Sequence, residues 1–209
     1  MRWLVPPAVV LLLVVIVRAL LIAPFSIPTG SMEPTLEVGD RILVNRTVNP
    51  PELGRGDIVV FDAAQAFGLE ARGAGLVQTL VGAAGSLIGA GPETDYVKRV
   101  IGLPGDHVVC CGPDGRVAVN GAPVDEPYVY PGDEPSSHPF DVTVPDGSLW
   151  VMGDHRSRSA DSRAYLGRPG GGMVPMDDVI GKVWVRYWPP DRVGSIGSAH
   201  RFSTPRNGT

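Results

Sequence analysis

The sequence predicts a mostly β chain in which an N-terminal transmembrane helix precedes a body of antiparallel strands. Three observations carry this. Glycine and proline are abundant, 27 and 21 of 209 residues, which favours turns and strands over a helical bundle. Short β-branched runs recur between Gly, Pro and Asp. Trp3 to Val17 is uncharged and largely branched aliphatic, the composition of a membrane span.

The apolar run is interrupted by Arg18 and resumes from Ala19 to Phe25. Residues 1–24 are therefore expected to form a transmembrane anchor, since a span needs roughly 20 apolar residues. Arg18, near one end, can snorkel to the headgroups, and Pro6 and Pro7 fall in the first turns, where proline is best tolerated. A cleaved leader is the rival reading. Ala23 would suit the last position before a cut, but Leu21 is too large two residues earlier and Pro24 would follow. Arg2 and the α-amino group favour a cytoplasmic N-terminus, against the pull of Arg18; the chain after about residue 25 then lies outside.

The body reads as strands in "DRILVNR" (Asp40 to Arg46), "GDIVVF" (Gly56 to Phe61), "YVKRVIGLPGD" (Tyr96 to Asp106), "SLWVMGD" (Ser148 to Asp154) and "GKVWVRYW" (Gly181 to Trp188). Between them, "HVVCCGPDGRVAVNGAPV" has the order strand, Pro-Asp-Gly turn, strand, Asn-Gly turn. Ala63 to Ala90 is Gly/Ala-rich and nearly uncharged, and its six glycines argue against a stable helix. It reads as a mobile, mildly apolar loop, or as a segment that touches a membrane. The polar tail, Ser195 to Thr209, is expected to be disordered.

The net charge of −4, with both signs scattered, gives no nucleic-acid surface. Cys110 and Cys111 are adjacent, and in a strand their side chains point to opposite faces. They cannot bridge distant segments; two free or half-buried thiols are the simpler reading, a vicinal disulfide the other. No Cys/His spacing supports a metal site.

Ser31, in "IPTGSMEPTL", is a nucleophile only if a base takes its proton. The four histidines, His107, His138, His155 and His200, occupy no familiar serine-hydrolase context. Lysine serves if burial lowers its pKa toward neutrality. Only Lys98 and Lys182 are lysines, and Lys98 sits among Val97, Val100 and Ile101 in a strand. Periodicity leaves two readings open: a buried base, or an edge-strand lysine in a salt bridge. "MGDHRSRSADSR" (Met152 to Arg163) is likewise either a solvated turn or a fixed ionic framework of Asp154, Arg156, Asp161 and Arg163.

"SMEPTL", "GDRILVNR", "YVKRVIGLPGD" and "GDHRSRSADSR", in this order behind an apolar N-terminus, closely resemble the motifs of bacterial type I signal peptidases, from the anchor to about Pro190. The resemblance implies a Ser/Lys serine endopeptidase that removes signal peptides from secreted preproteins after Ala-x-Ala-like sites. By that resemblance Ser31 is the nucleophile and Lys98 the general base. Thr29 joins the Ser31 N–H as oxyanion hole, and Ser159 hydrogen-bonds and orients the lysine. Phe25, Ile27, Pro28, Met32, Leu36, Tyr96 and Val97 bind substrate or shape the site, with Pro34. Arg99 with Asp154, and Asp161 with Arg163, are structural charge pairs. The implied fold is a catalytic β core, residues 25–106 and 149–190, with a small β cap, 107–148, inserted between. The implied partners are preprotein signal peptides and the lipid bilayer, with no metal or cofactor and no nucleic acid. The implied location is the cytoplasmic membrane, single-pass, with the catalytic domain on the extracytoplasmic side. Two departures stand out. The family usually has Asn where this chain has His155, which invites a Ser-His pair that the intact lysine motif argues against. The family's common disulfide has no counterpart in Cys110–Cys111. The alternatives are a specialised processing peptidase of a conjugation or secretion system, and a non-enzymatic anchored binding domain. A self-cleaving repressor would need a DNA-binding domain, and no such segment is present.

Overall fold

The structure, a computed structural model, describes residues 9, 21–48, 52–69 and 94–196. Its strands are β1 (Ile22–Ser26), β2 (Arg41–Asn45), β3 (Ile58–Asp62), β4 (Asp95–Gly102), β5 (His107–Cys110), β6 (Ala118–Val119), β7 (Ala122–Pro123), β8 (Phe140–Thr143), β9 (Ser148–Met152), β10 (Val174–Pro175), β11 (Val179–Trp188) and β12 (Gly194–Ser195). A short helix, α1 (Ala63–Phe67), follows β3. The large antiparallel sheet has the order β1-β2-β11-β3-β4-β9-β10, with β12 added to β11. The small sheet, β7-β6-β5-β8, lies in chain order between β4 and β9.

β3 reads IVVFD without alternation because both of its faces are covered. Val59 and Phe61 join one core with Phe67, Val100 and Val151, while Ile58 and Val60 join another with Met32, Leu36, Ile42 and Val183. A third core, around Trp150, Met152, Val108 and Val119, fills the space between the two sheets. The Asn-Gly turn joins β6 to β7 with Asn120 and Gly121 both at positive φ, 54° and 77°, the pair of conformations that a tight hairpin needs.

Several expectations change. Most of the proposed anchor lies outside the described residues, and its last residues, 22–24, belong to β1, where Ile22 pairs with Asn45 and Pro24 with Leu43. No helix among the described residues is long and apolar enough to cross a membrane. The Gly/Ala-rich segment begins with α1: Asp62 caps its N-terminus by accepting from the Ala64 and Gln65 N–H groups, and Gly68 at φ 59° ends it. Ala63, Ala66 and Phe67 are buried, so those residues are core rather than loop; 70–90 lie outside the described residues. At the other end, Ser195 pairs with Val185 in β12 and the Ile196 N–H donates to Trp184 O. The tail therefore starts later than composition suggested, and 197–209 lie outside the described residues. Cys110 and Cys111 form a disulfide rather than free thiols. β5 ends at Cys110, so Cys111 is released from the pleat that would have turned it to the opposite face.

Candidate active site

The site begins with a turn pinned by its own apolar residues. After β1 the chain is tied to the following turn by the Ile27 N–H to Asp40 O and the Gly39 N–H to Ile27 O. Thr29 is extended, and Gly30–Met32 forms a single 3₁₀ turn. Met32 and Leu36, almost wholly buried, hold that turn against Ile42, Ile58 and Val60. The Glu33 carboxylate folds back over Gly30, where a Cβ would fall 2.7 Å from one of its oxygens.

β4 brings Lys98 to this turn. Its Nζ lies 2.9 Å from Ser31 Oγ and 2.9 Å from Val97 O. Ser31 is 9% exposed and Lys98 4%. Burial pulls the Lys98 ammonium down from the ordinary lysine range to about 8, opposed by the Asp161 and Asp154 carboxylates and assisted by Arg163. Thr29 Oγ1 lies 3.5 Å from Ser31 Oγ. The arrangement places a hydroxyl against an amine that sheds its proton near neutral pH, which is what general-base activation of serine requires.

The cleft beside this pair, about 290 Å³, runs between Ile27–Met32 and the Asp95–Lys98 edge of β4. β9 pairs with β4 only from Arg99 onward, so among the described residues Asp95–Lys98 pair with β3 alone. Ile27, Pro28, Met32, Tyr96 and Val97 line the cleft. Two expected lining residues do not: Leu36 is buried beneath the turn, and Phe25 packs against the same core. Asp95, Arg158 and Ala160 line it without having been singled out from the sequence. Burial and the neighbouring Asp62 push the Asp95 carboxyl up to about 6. Asp95 was legible in principle, one residue before Tyr96 on the same edge.

The charge framework is built as paired forks. Arg99 Nε and Nη2 donate to Asp154 at 2.8 and 2.6 Å, and Nη1 donates to Gly56 O at 2.8 Å. Tyr128 lies under the guanidinium at 3.8 Å. Arg163 donates to both Asp161 oxygens at 2.9 and 2.8 Å, and Asp161 also accepts from the Gly153 N–H at 2.9 Å. Arg156, named in the ionic framework without a partner, pairs with Glu126 and donates to Pro135 O.

Ser159 departs from expectation. Its buried Oγ makes no hydrogen bond among the described residues, and it is Val97 O that accepts from Lys98. The Oγ packs against Gly153, where a Cβ would fall 2.2 Å from it and 2.5 Å from Ser31 O; on either side of it, Arg158 and Ala160 line the cleft beside Ser31. His155 is buried, and its ring stacks on Tyr130 at 4.0 Å with a 2° tilt. Its Nδ1 lies 3.2 Å from Gly30 O, not on Ser31 Oγ.

An antiparallel β body that sets a buried hydroxyl against a buried amine is the arrangement a serine peptidase requires. Comparison with known proteins gives the particular family. Residues 1–188 match the family described as Signal peptidase, peptidase S26. The probable signal peptidase I of Mycobacterium leprae (strain TN) is 39% identical over 209 residues, covering 85% of this chain and 72% of that one. Signal peptidase IB of Staphylococcus aureus (strain COL) is 31% identical, covering 90% of each. A crystal structure of a signal peptidase I from Enterococcus faecalis V583 is 26% identical with a TM-score of 0.40, covering 62% of this chain and 95% of that one. The chain belongs to the signal peptidase family, peptidase S26: it is a serine peptidase that removes signal peptides.

Proposed function

We propose that Ser31 and Lys98 are the catalytic dyad of a single-pass enzyme that cuts preproteins after Ala-x-Ala-like sites at the outer face of the cytoplasmic membrane. The observation that carries the reading is the 2.9 Å contact between Ser31 Oγ and the buried Lys98 Nζ. The substrate enters extended and adds a strand to the Asp95–Lys98 edge, so that backbone pairing tolerates varied sequence while the cleft reads side chains. Ser31 Oγ attacks the scissile carbonyl carbon as its proton passes to neutral Lys98. The Ser31 N–H and the Thr29 hydroxyl bind the oxyanion. Collapse breaks the C–N bond, and the Lys98 ammonium protonates the departing amine. Lys98, neutral again, takes a proton from water, whose oxygen attacks the acyl ester; the C–O bond breaks and the Lys98 ammonium returns that proton to Ser31 Oγ. Arg99–Asp154 and Asp161–Arg163 hold β4 and the loop after β9 in place. No metal or organic cofactor enters these steps.

The cleft presents Ile27, Met32 and Val97 as apolar contacts for the side chains of an extended substrate. Membrane contact is supported by two features. The family match starts at residue 1 and so includes the apolar run. Trp184, Tyr187, Trp188 and Val193 are exposed on β11 and the turn after it, and β2 alone separates β11 from β1, into which that run leads. Cleavage-site mapping by mass spectrometry tests the specificity: a preprotein with Ala-x-Ala is cut after the second Ala, and Leu in place of either Ala lowers kcat/KM at least about 100-fold, the scale on which a pocket discriminates by bulk. Equal cutting of the Leu substrates contradicts the small pockets.

A further inference from the structure

His155 grips both peptide units that flank the nucleophile. Its Nδ1 lies 3.2 Å from Gly30 O, and its backbone N–H donates to Ser31 O at 3.1 Å. A Glu33 carboxylate oxygen lies 3.5 Å from the same Nδ1. Both neighbours of Nδ1 are acceptors, so this nitrogen carries the proton. The ring cannot turn away freely, being stacked on Tyr130 and 5% exposed. Gly30 O also accepts from the Glu33 N–H at 3.2 Å.

The Gly30 carbonyl and the Ser31 N–H belong to one planar trans peptide, so they point in opposite directions. Whatever fixes Gly30 O aims the Ser31 N–H. Glycine at position 30 leaves this peptide unusually free to rotate, and two donors on its oxygen remove that freedom. We propose that His155 is a positioning residue for the oxyanion hole: it locks the Gly30–Ser31 peptide so that the Ser31 N–H faces the charge developing on the substrate carbonyl. The inference rests on the assignment of Ser31 as nucleophile and its N–H as oxyanion donor. It gives a role to the one residue of the "GDHR" motif that departs from the family pattern, and that role is not general base.

The test uses the full chain in detergent with an Ala-x-Ala peptide, comparing His155→Phe, His155→Asn and Ser31→Ala. Phenylalanine keeps the stack on Tyr130 and removes the donor. Asparagine places an amide nitrogen as many bonds from the backbone as Nδ1. Losing an oxyanion donor outright costs about 100- to 1000-fold in kcat; a donor left in place but poorly aimed is expected to cost about 10- to 100-fold. His155→Phe should show that loss in kcat, with KM within about twofold and a Tm close to that of the parent, and His155→Asn should recover most of the rate. A His155→Phe variant with parental kcat, a defect confined to KM, or failure of Asn to restore the rate overturns the role. Continued cleavage by Ser31→Ala would instead remove the serine assignment on which the role depends.

Discussion

At Lys98 two opposing effects decide the chemistry. Burial disfavours its charge, while Asp161 and Asp154 favour it, and burial wins: the ammonium titrates at about 8 rather than 10.5. The neutral, basic fraction therefore grows as pH rises, and kcat/KM of the free enzyme should climb along an acidic limb that inflects near 8. An inflection near 6 that vanishes in Asp95→Asn would assign the limb to Asp95, whose carboxyl titrates at about 6. The same shift bears on stability. The folded-state pKa lies below the unfolded one, so between about pH 8 and 10.5 the unfolded chain holds a proton that the folded chain has lost, and stability rises with pH through that window. Lys98→Met should flatten that slope and be more stable at pH 7 by about 3 kcal/mol, the equivalent of roughly two and a half pKa units. Urea midpoints measured across pH check this, and a Lys98→Met variant less stable than the parent would contradict it.

The decisive element is β4. Arg99 pairs with both β3 and β9 and the strand then continues along β9, whereas Asp95–Lys98 pair with β3 and leave the other edge to the cleft. Strand pairing alternates in direction from one residue to the next. Methylating substrate backbone nitrogens one at a time should therefore lower kcat/KM with a period of two, at least about tenfold at amides facing β4 and little between; a flat response would argue against strand addition. β2, β3, β4, β9 and β11 were legible in the sequence because each is a β-branched run bounded by Gly, Asp or Pro. β8, β10 and β12 are too short or too polar to stand out, and β1 was hidden in the apolar run. The contact of Ser31 with Lys98, 67 residues apart, is a product of tertiary pairing, so periodicity left Lys98 ambiguous and only the ordered motifs singled it out. The place of the Ser159 hydroxyl is set by its packing against Gly153 beside the Ser31 carbonyl, a contact that no local pattern encodes. The Arg156–Glu126 pair joins groups 30 residues apart, and no local rule links them.

At the scale of the molecule, buried charge ties the inserted small sheet's neighbourhood to the site: Tyr128 under Arg99, Glu126 on Arg156 and Tyr130 against His155 all come from the segment between β7 and β8. The exposed aromatic side chains of β11 lie on the large sheet. Trp and Tyr favour the membrane–water interface. Replacing Trp184 and Trp188 by Ala should leave cleavage of a soluble peptide within about twofold while slowing processing of a preprotein in vesicles, because bilayer residence raises the effective concentration of both partners; equal loss on the two substrates would contradict the lipid role. The central claim, that Ser31 and Lys98 together remove signal peptides, is tested most directly by incubating the purified chain in detergent with an Ala-x-Ala preprotein beside its Ser31→Ala and Lys98→Ala variants and locating any cut by mass spectrometry. A single cut after the second Ala, abolished in both variants, is the predicted result. Full activity in Lys98→Ala would place the base elsewhere and contradict the account.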